Sequence, residues 1–79
     1  MTKKYVEILA TFTVEGKIIP REIIWEDGRH FEIDRILEVQ RGGSFKVGGT
    51  GIRYTCRIRN KQVYLFFEDL TGKWFMEVE

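Results

Sequence analysis

The sequence predicts an all-β fold in which about six short antiparallel strands form a small barrel or roll. Three observations support this prediction. The periodic segments are rich in Val, Ile, Thr and aromatic residues, whereas the chain contains a single alanine. Apolar and polar side chains alternate along several of these segments. Turn residues separate the segments at a spacing of roughly ten residues, and the 79 residues leave room for one domain, residues 1–79.

The first two predicted strands form a hairpin closed by a two-residue turn at Glu15-Gly16. The first strand, from Tyr5 to Val14, presents one apolar face, which consists of Val6, Ile8, Ala10, Phe12 and Val14. This turn sets Ile8 opposite Ile23 and Phe12 opposite Ile19 on the second strand. Because Pro20 has no N–H to donate to a ladder, we expect its position to face a sheet edge or a bulge.

The second hairpin is predicted from its apolar pattern. Asp27-Gly28 is typical of a two-residue turn, but that register mixes apolar and charged residues on each face. A three-residue loop, Glu26-Asp27-Gly28, sets Ile23 opposite Phe31 and keeps the apolar residues together. Since a slip of one residue moves a whole strand to the other face, the sequence predicts the longer loop, with Gly28 in the left-handed region.

The third segment runs from His30 to about Val39, and its pattern changes phase near Asp34-Arg35. A bulge at this point would keep the segment a bent strand. A short helix over residues 34–41, ended by Gly42, is the alternative. The strand is the favoured interpretation.

The sequence of the second half of the chain predicts a glycine-rich connection followed by three strands. Residues 41–51 are rich in glycine and predict a tight connection with Phe45 or Val47 pointing inward. The strand from Ile52 to Arg59 places four residues on its inner face: Ile52, Tyr54, Cys56 and Ile58. A turn at Asn60-Lys61 pairs these with the next strand, so that Ile58 meets Val63, Cys56 meets Leu65 and Tyr54 meets Phe67. The last strand pairs Trp74 with Phe67 and Phe75 with Phe66.

Motifs for catalysis and for cofactors are absent from the sequence, which predicts a protein that is not an enzyme and needs no cofactor or metal. His30 is the single histidine, and the single cysteine, Cys56, falls on the apolar face of a strand. A Cys–His site would require the two side chains to meet in an open cleft. Gly48 to Gly51 opens a strand and lacks the lysine of a phosphate loop. No apolar run approaches the length of a membrane span.

Charge is unevenly distributed along the chain, although the net charge is only +1. Residues 41–61 contain six cations and no acid, whereas residues 1–40 contain six cations and eight acids. The predicted register sets Arg57 opposite Tyr64 on the outer face. The candidate ligand-binding residues are Arg53, Arg57, Arg59, Tyr64, Phe66 and Phe75, with Lys46 and Arg41 at the rim. Arginines beside exposed rings suit single-stranded nucleic acid, because phosphates meet the cations while bases stack on the rings.

Two other interpretations of this face remain open. The rings, or an exposed strand edge near Pro20, could instead contact a protein partner or a second copy of the chain. The arginines could also form ion pairs with Glu7, Glu77 and Glu79 on neighbouring strands, which would make the face purely structural.

Three strings carry a resemblance to a known family: IWEDGRHFEIDRILEV, GGTGIRYTCRIRNKQVYLFFE and the closing WF. Over Phe12 to Trp74 the chain resembles a family of small all-β proteins of about this length from Gram-positive bacteria of the clostridial type. The resemblance implies a bacterial, cytoplasmic protein. It implies no activity and assigns no role to any residue.

Overall fold

A computed structural model describes residues 2–78. All of the regular secondary structure in that range is β-strand. The seven strands are β1 (Thr2–Phe12), β2 (Ile18–Ile24), β3 (His30–Glu32), β4 (Arg35–Ser44), β5 (Thr50–Ile58), β6 (Lys61–Glu68) and β7 (Trp74–Val78). They form one antiparallel sheet in the order β3-β2-β1-β7-β6-β5-β4. The predicted all-β, barrel-like fold is therefore confirmed.

The two edge strands of the sheet, β3 and β4, follow each other in the chain. The N–H of Ile33 donates to the carbonyl of Arg21 on β2, and the N–H of Asp34 donates to the carbonyl of Arg57 on β5, each at 2.9 Å. The connection at residues 33–34 therefore joins the two edges of the sheet, which curls into a half-barrel. The alternative of a helix over residues 34–41 is wrong, because residues 35–41 lie within β4, which pairs with β5. The favoured single bent strand is correct in being β structure, but the change of phase at residues 33–34 separates two strands at opposite edges of the sheet.

The β1–β2 hairpin follows the prediction only in part. Ile8 pairs with Ile23 as expected, but Phe12 pairs with Ile18. A bulge opposite Leu9 and Ala10 takes up the extra residue beside Pro20, as the missing N–H of proline predicted. Phe12 is 71% exposed and Val14 is 98% exposed, so their predicted inner positions are wrong. Beyond Val6 the pairs of β1 are with β2 alone among the described strands, which leaves the end of this hairpin exposed.

The β2–β3 hairpin has the predicted loop. The N–H of Gly28 donates to the carbonyl of Trp25 at 2.9 Å, and the N–H of Trp25 donates to the carbonyl of Arg29 at 2.8 Å. Gly28 has φ 88°, in the left-handed region where a side chain would be strained. Ile23 consequently pairs with Phe31, as the apolar pattern required.

The β5–β6 hairpin has the predicted faces but a different register. Arg59 and Asn60 form the two-residue turn, with φ 50° and 64°, and Ile58 pairs with Lys61. Each predicted pair is therefore shifted by two residues, so that Cys56 meets Val63. Because side chains alternate with a period of two, this shift leaves every residue on its predicted face.

The hydrophobic core lies inside the curl of the sheet. Its buried residues are Ile23, Tyr54, Cys56, Ile58, Leu65 and Trp74. The hydroxyl of Tyr54 donates to the carbonyl of Ile18 and so ties β5 to the first hairpin across the core. Burial of a large apolar side chain contributes about 1.5–3 kcal/mol, so this cluster is the main source of stability for the curl.

The pairing of β6 with β7 is incomplete. Phe66 pairs with Phe75 and Phe67 with Trp74, as predicted, and across the described residues the ladder stops there. Val63 and Met76, which lie beyond the last pairs, line cavities on both faces of the sheet. The sheet therefore has a gap near its centre.

Candidate functional site

An aromatic layer covers part of the outer face of the sheet. The rings of Phe66 and Phe75 stack with centroids 4.7 Å apart, and Phe45 packs edge-on against both, at 5.0 and 5.6 Å. Phe66 is 4% exposed and Phe75 is fully buried. The expectation that these two rings lie exposed is wrong, because Phe45 at the end of the β4–β5 hairpin covers them. Phe45, one of the two residues expected to point inward, instead lies on this outer layer.

A buried carboxylate closes one border of the aromatic layer. Glu68 forms an ion pair with Lys3 and accepts hydrogen bonds from the hydroxyls of Tyr5 and Thr71, each at 3.0 Å. The hydrogen bond from Lys3 lowers the pKa of Glu68, and the same bond raises the pKa of Lys3. Lys3 also lies 4.9 Å above the ring of Phe75. Glu68 thus remains charged at neutral pH and fixes β1 against β6.

The open part of the outer face is a cleft of about 580 Å³ between the β4–β5 hairpin and β6, which we call the outer cleft. Four of the predicted residues line it: Lys46, Arg53, Tyr64 and Phe66. The Arg53 guanidinium lies 5.2 Å from the centroid of the Tyr64 ring, and Tyr64 is 44% exposed. The side chains of Gln40 and Gln62 add amide groups to the walls.

Arg53 is incompletely paired in this cleft. One guanidinium nitrogen lies 3.6 Å from the Glu38 carboxylate, a distance typical of an ion pair at the surface. The Nε atom is buried and has no hydrogen-bond partner within residues 2–78. The Arg53 side chain is 38% exposed, so the accessible nitrogens of its guanidinium, and not the buried Nε, are the ones that a ligand can reach.

Three of the predicted cations lie outside the cleft. Arg57 is exposed beside it, opposite Gln62 on β6. Arg59 lies in the β5–β6 turn, and its guanidinium is 5.0 Å from the ring of Phe31, at another place on the molecule. Arg41 lies opposite Ile52, on the inner side of the sheet, where its charge opposes the rise in the pKa of Tyr54 that burial causes. The single face predicted for all these residues is therefore wrong for Arg59 and Arg41.

The ion pairs considered as an alternative do not form at the expected places. Arg53 approaches Glu38 on β4, and over residues 2–78 no ion pair joins these arginines to Glu7 or Glu77. Glu79 lies outside the described residues. The side chain of Arg57 therefore stays available beside the cleft.

Cys56 and His30 occupy separate regions. Cys56 is fully buried in the core, and burial raises the pKa of its thiol to about 11. His30 is exposed on β3, with Nδ1 3.1 Å from Oε1 of Glu22. The two residues therefore form no Cys–His pair. No cluster of three or more potential metal ligands occurs in residues 2–78.

Comparisons with known proteins give no match, whether with family models, with curated proteins or with solved structures. No helix within the described range is long and apolar enough to cross a membrane. The outer cleft is therefore interpreted from its own chemistry, which combines two cations, exposed aromatic surface and side-chain amides.

Proposed function

We propose that the protein is a non-enzymatic binding module that holds single-stranded nucleic acid in the outer cleft. The observation that carries this proposal is the position of Arg53, whose guanidinium lies 5.2 Å from the centroid of the Tyr64 ring and 3.6 Å from Glu38, its single acidic neighbour among the ion pairs of residues 2–78. Lys46 lies on the same cleft. A phosphate gives the Arg53 guanidinium a closer anion than Glu38 does, and an adjacent base gives the exposed Tyr64 ring a stacking partner.

The binding mode follows from the chemistry of the cleft walls. A base stacks on Tyr64, while the phosphates on either side of it contact Arg53 and Lys46. Arg57, exposed beside the cleft, extends the cationic track along β5. The amides of Gln40 and Gln62 donate to sugar or phosphate oxygens, which are contacts without sequence preference. A cytoplasmic location, which the resemblance implies, belongs to this proposal because it gives access to RNA and unwound DNA.

The acidic residues of the cleft set the expected strength of binding. Glu77 lines the wall, and Glu38 lies 3.6 Å from the guanidinium of Arg53. Both reduce the positive potential, so we expect an affinity on the order of 10⁻⁵ M at physiological salt, within the range of non-specific binding. Small barrels commonly bind oligonucleotides on such sheet faces.

We expect a titration with short oligo(dT), followed by NMR of the ¹⁵N-labelled protein, to shift the amide signals of Lys46, Arg53 and Tyr64. Tyr64→Leu should weaken binding by about tenfold, because a stacked base contributes roughly 1–3 kcal/mol. Arg53→Gln should weaken binding and reduce the slope of log K against log salt by about 0.7, the value for one phosphate contact with a single strand.

Lys17→Gln is the matched control, because it removes the same charge from the β1–β2 loop, away from the cleft. It should bind as the wild type does. Equal binding by Arg53→Gln, or a salt slope near zero, would show that the proposal is wrong. Of the features suggested for a protein partner, Phe66, Phe75 and Pro20 are buried within the chain, and Tyr64 is the ring of that set that stays exposed.

A further inference from the structure

A second cavity, of about 430 Å³, lies at the end of the half-barrel between the β2–β3 hairpin and the β5–β6 turn, and we call it the mouth pocket. Its lining is mainly apolar: Ile23, Ile58, Val63, Trp25, Phe31 and Met76. Ile23 is 3% exposed and Ile58 is 8% exposed, so the floor of the pocket is part of the core itself. The rim carries three cations: Arg29, Arg59 and Lys61.

The cations of the rim lie close together. The guanidinium carbons of Arg29 and Arg59 are 5.3 and 5.0 Å from the centroid of the same ring, that of Phe31. They are therefore no more than about 10 Å apart, a distance comparable with the Debye length of about 8 Å at physiological ionic strength. Salt screens their repulsion only in part, and an anion placed between them would relieve it.

The acids near the rim leave most of this charge uncompensated. Asp27 lies 2.7 Å from Nε of Arg29, and the backbone N–H of Arg29 lowers the pKa of Asp27, so this pair is charged at neutral pH. Asp34 accepts a hydrogen bond from the backbone N–H of Arg59, at 3.0 Å, and not from its guanidinium. In the part of the chain that the structure describes, neither Arg59 nor Lys61 takes part in an ion pair.

We propose that the mouth pocket binds a small amphiphilic monocarboxylate, that is, an apolar molecule with a carboxylate at one end. The apolar body packs on Ile23, Ile58 and Trp25, where it replaces water on surface that is already part of the core. The carboxylate lies at the rim, where a guanidinium fork such as that of Arg59 binds it with two parallel hydrogen bonds.

The lining distinguishes this ligand from the one proposed for the outer cleft. No side-chain amide lines the mouth pocket, so a base or a sugar would leave polar atoms unpaired against an apolar floor. A polar phosphate ester is disfavoured for the same reason. The two sites share Val63 and Met76, which lie in the gap between β6 and β7, but they share none of their cations.

The test compares decanoate with decanol, which has the same chain length and no charge. Both are titrated below the concentration at which they aggregate, with tryptophan fluorescence and the amide NMR signals of Trp25, Phe31 and Arg59 as readouts. We expect decanoate to shift the signals of Trp25, Phe31 and Arg59. The double variant Arg59→Asn, Lys61→Gln should weaken decanoate binding by at least about tenfold and leave decanol binding unchanged, since only the anion contacts the rim.

Arg59→Asn is chosen because Arg59 has φ 50°, a conformation that asparagine adopts more readily than arginine, so the turn is retained. The matched control is Lys46→Gln, Arg57→Gln, which removes two charges from the region of the outer cleft and should bind decanoate as the wild type does. Equal affinity for decanol and decanoate, no shift at Trp25, or full decanoate binding by the rim variant would each overturn the proposal. Oligo(dT) binding should be unaffected by the rim variant, so the two proposals succeed or fail separately.

Discussion

Glu68 shows how much a single residue depends on partners that are distant in the sequence. The pattern Glu68-Asp69 is typical of a solvated turn, yet Glu68 is only 7% exposed and bonds to Lys3 and Tyr5. Those partners are 65 and 63 residues away along the chain. Local pattern predicts the turn that follows β6, but it carries no information on which strand lies beside that turn. The buried ion pair could therefore not be predicted from the sequence.

Glu68→Gln should lower the free energy of unfolding by about 2 kcal/mol at neutral pH, because the charge-assisted bond to Lys3 is lost. The folded-state pKa of Glu68 lies below its ordinary value of 4.5, so the unfolded chain binds this proton more readily. The contribution of Glu68 is therefore fully present above pH 4.5 and is lost as the pH falls through the folded-state pKa. Urea unfolding at a series of pH values should show wild type and variant converging in acid.

Glu32→Gln is the control, since Glu32 is exposed at the end of β3 and takes part in no ion pair within residues 2–78. It should change the unfolding free energy by less than about 0.5 kcal/mol. A constant difference between wild type and Glu68→Gln from neutral to strongly acid pH would contradict the assigned ion pair.

Among the structural elements, the hairpins show why some registers were predictable and others were not. Gly28 marks its loop clearly, because glycine alone adopts φ 88° without strain, and the apolar pattern then selects one register. The β5–β6 turn carries no such mark, since its positive φ values fall on Arg59 and Asn60. An arginine in this conformation is uncommon, so the sequence points to the following pair of residues instead. The register error of two residues leaves every side chain on its predicted face, so the apolar pattern does not reveal it.

Strand β5 begins with a close approach that gives a prediction of its own. A Cβ atom on Gly51 would lie 1.9 Å from the carbonyl oxygen of Phe67, and Gly51 has φ 152°. Gly51→Ala should therefore cost about 3 kcal/mol or more, since β5 and β6 must separate and the residue is also strained. Gly43→Ala is the matched control, because Gly43 has nothing within 4 Å of the added atom and no positive φ. Similar midpoints for the two variants in thermal unfolding would refute this account.

At the scale of the whole molecule, the curl of the sheet determines which residues lie together. Residues that are close in the sequence can therefore lie on different surfaces. The six cations of residues 41–61 suggest one basic surface. The fold instead divides them, because the turn at Arg59 reverses the chain and directs that side chain to Phe31. Alternation predicts the two faces of β5 and β6 correctly, as Cys56 and Leu65 in the core show. It does not show that Phe45 covers one patch of the outer face, because that contact depends on the shape of the β4–β5 hairpin.

The incomplete pairing of β6 with β7 has a consequence for amide hydrogen exchange. By the alternation of an antiparallel ladder, the amides of Tyr64 and Glu77 point towards the gap, beyond the last paired residues. The amides of Leu65 and Met76 point the other way, to β5 and β1, and are paired there. Deuterium should therefore replace the protons of Tyr64 and Glu77 orders of magnitude faster, which NMR would measure directly.

Comparable protection of all four amides would mean that the gap is closed in solution. With the gap open, the order of exchange inverts the usual one, in which the edges of a sheet exchange first and its centre last. The molecule would then behave as two protected ladders on either side of a rapidly exchanging seam.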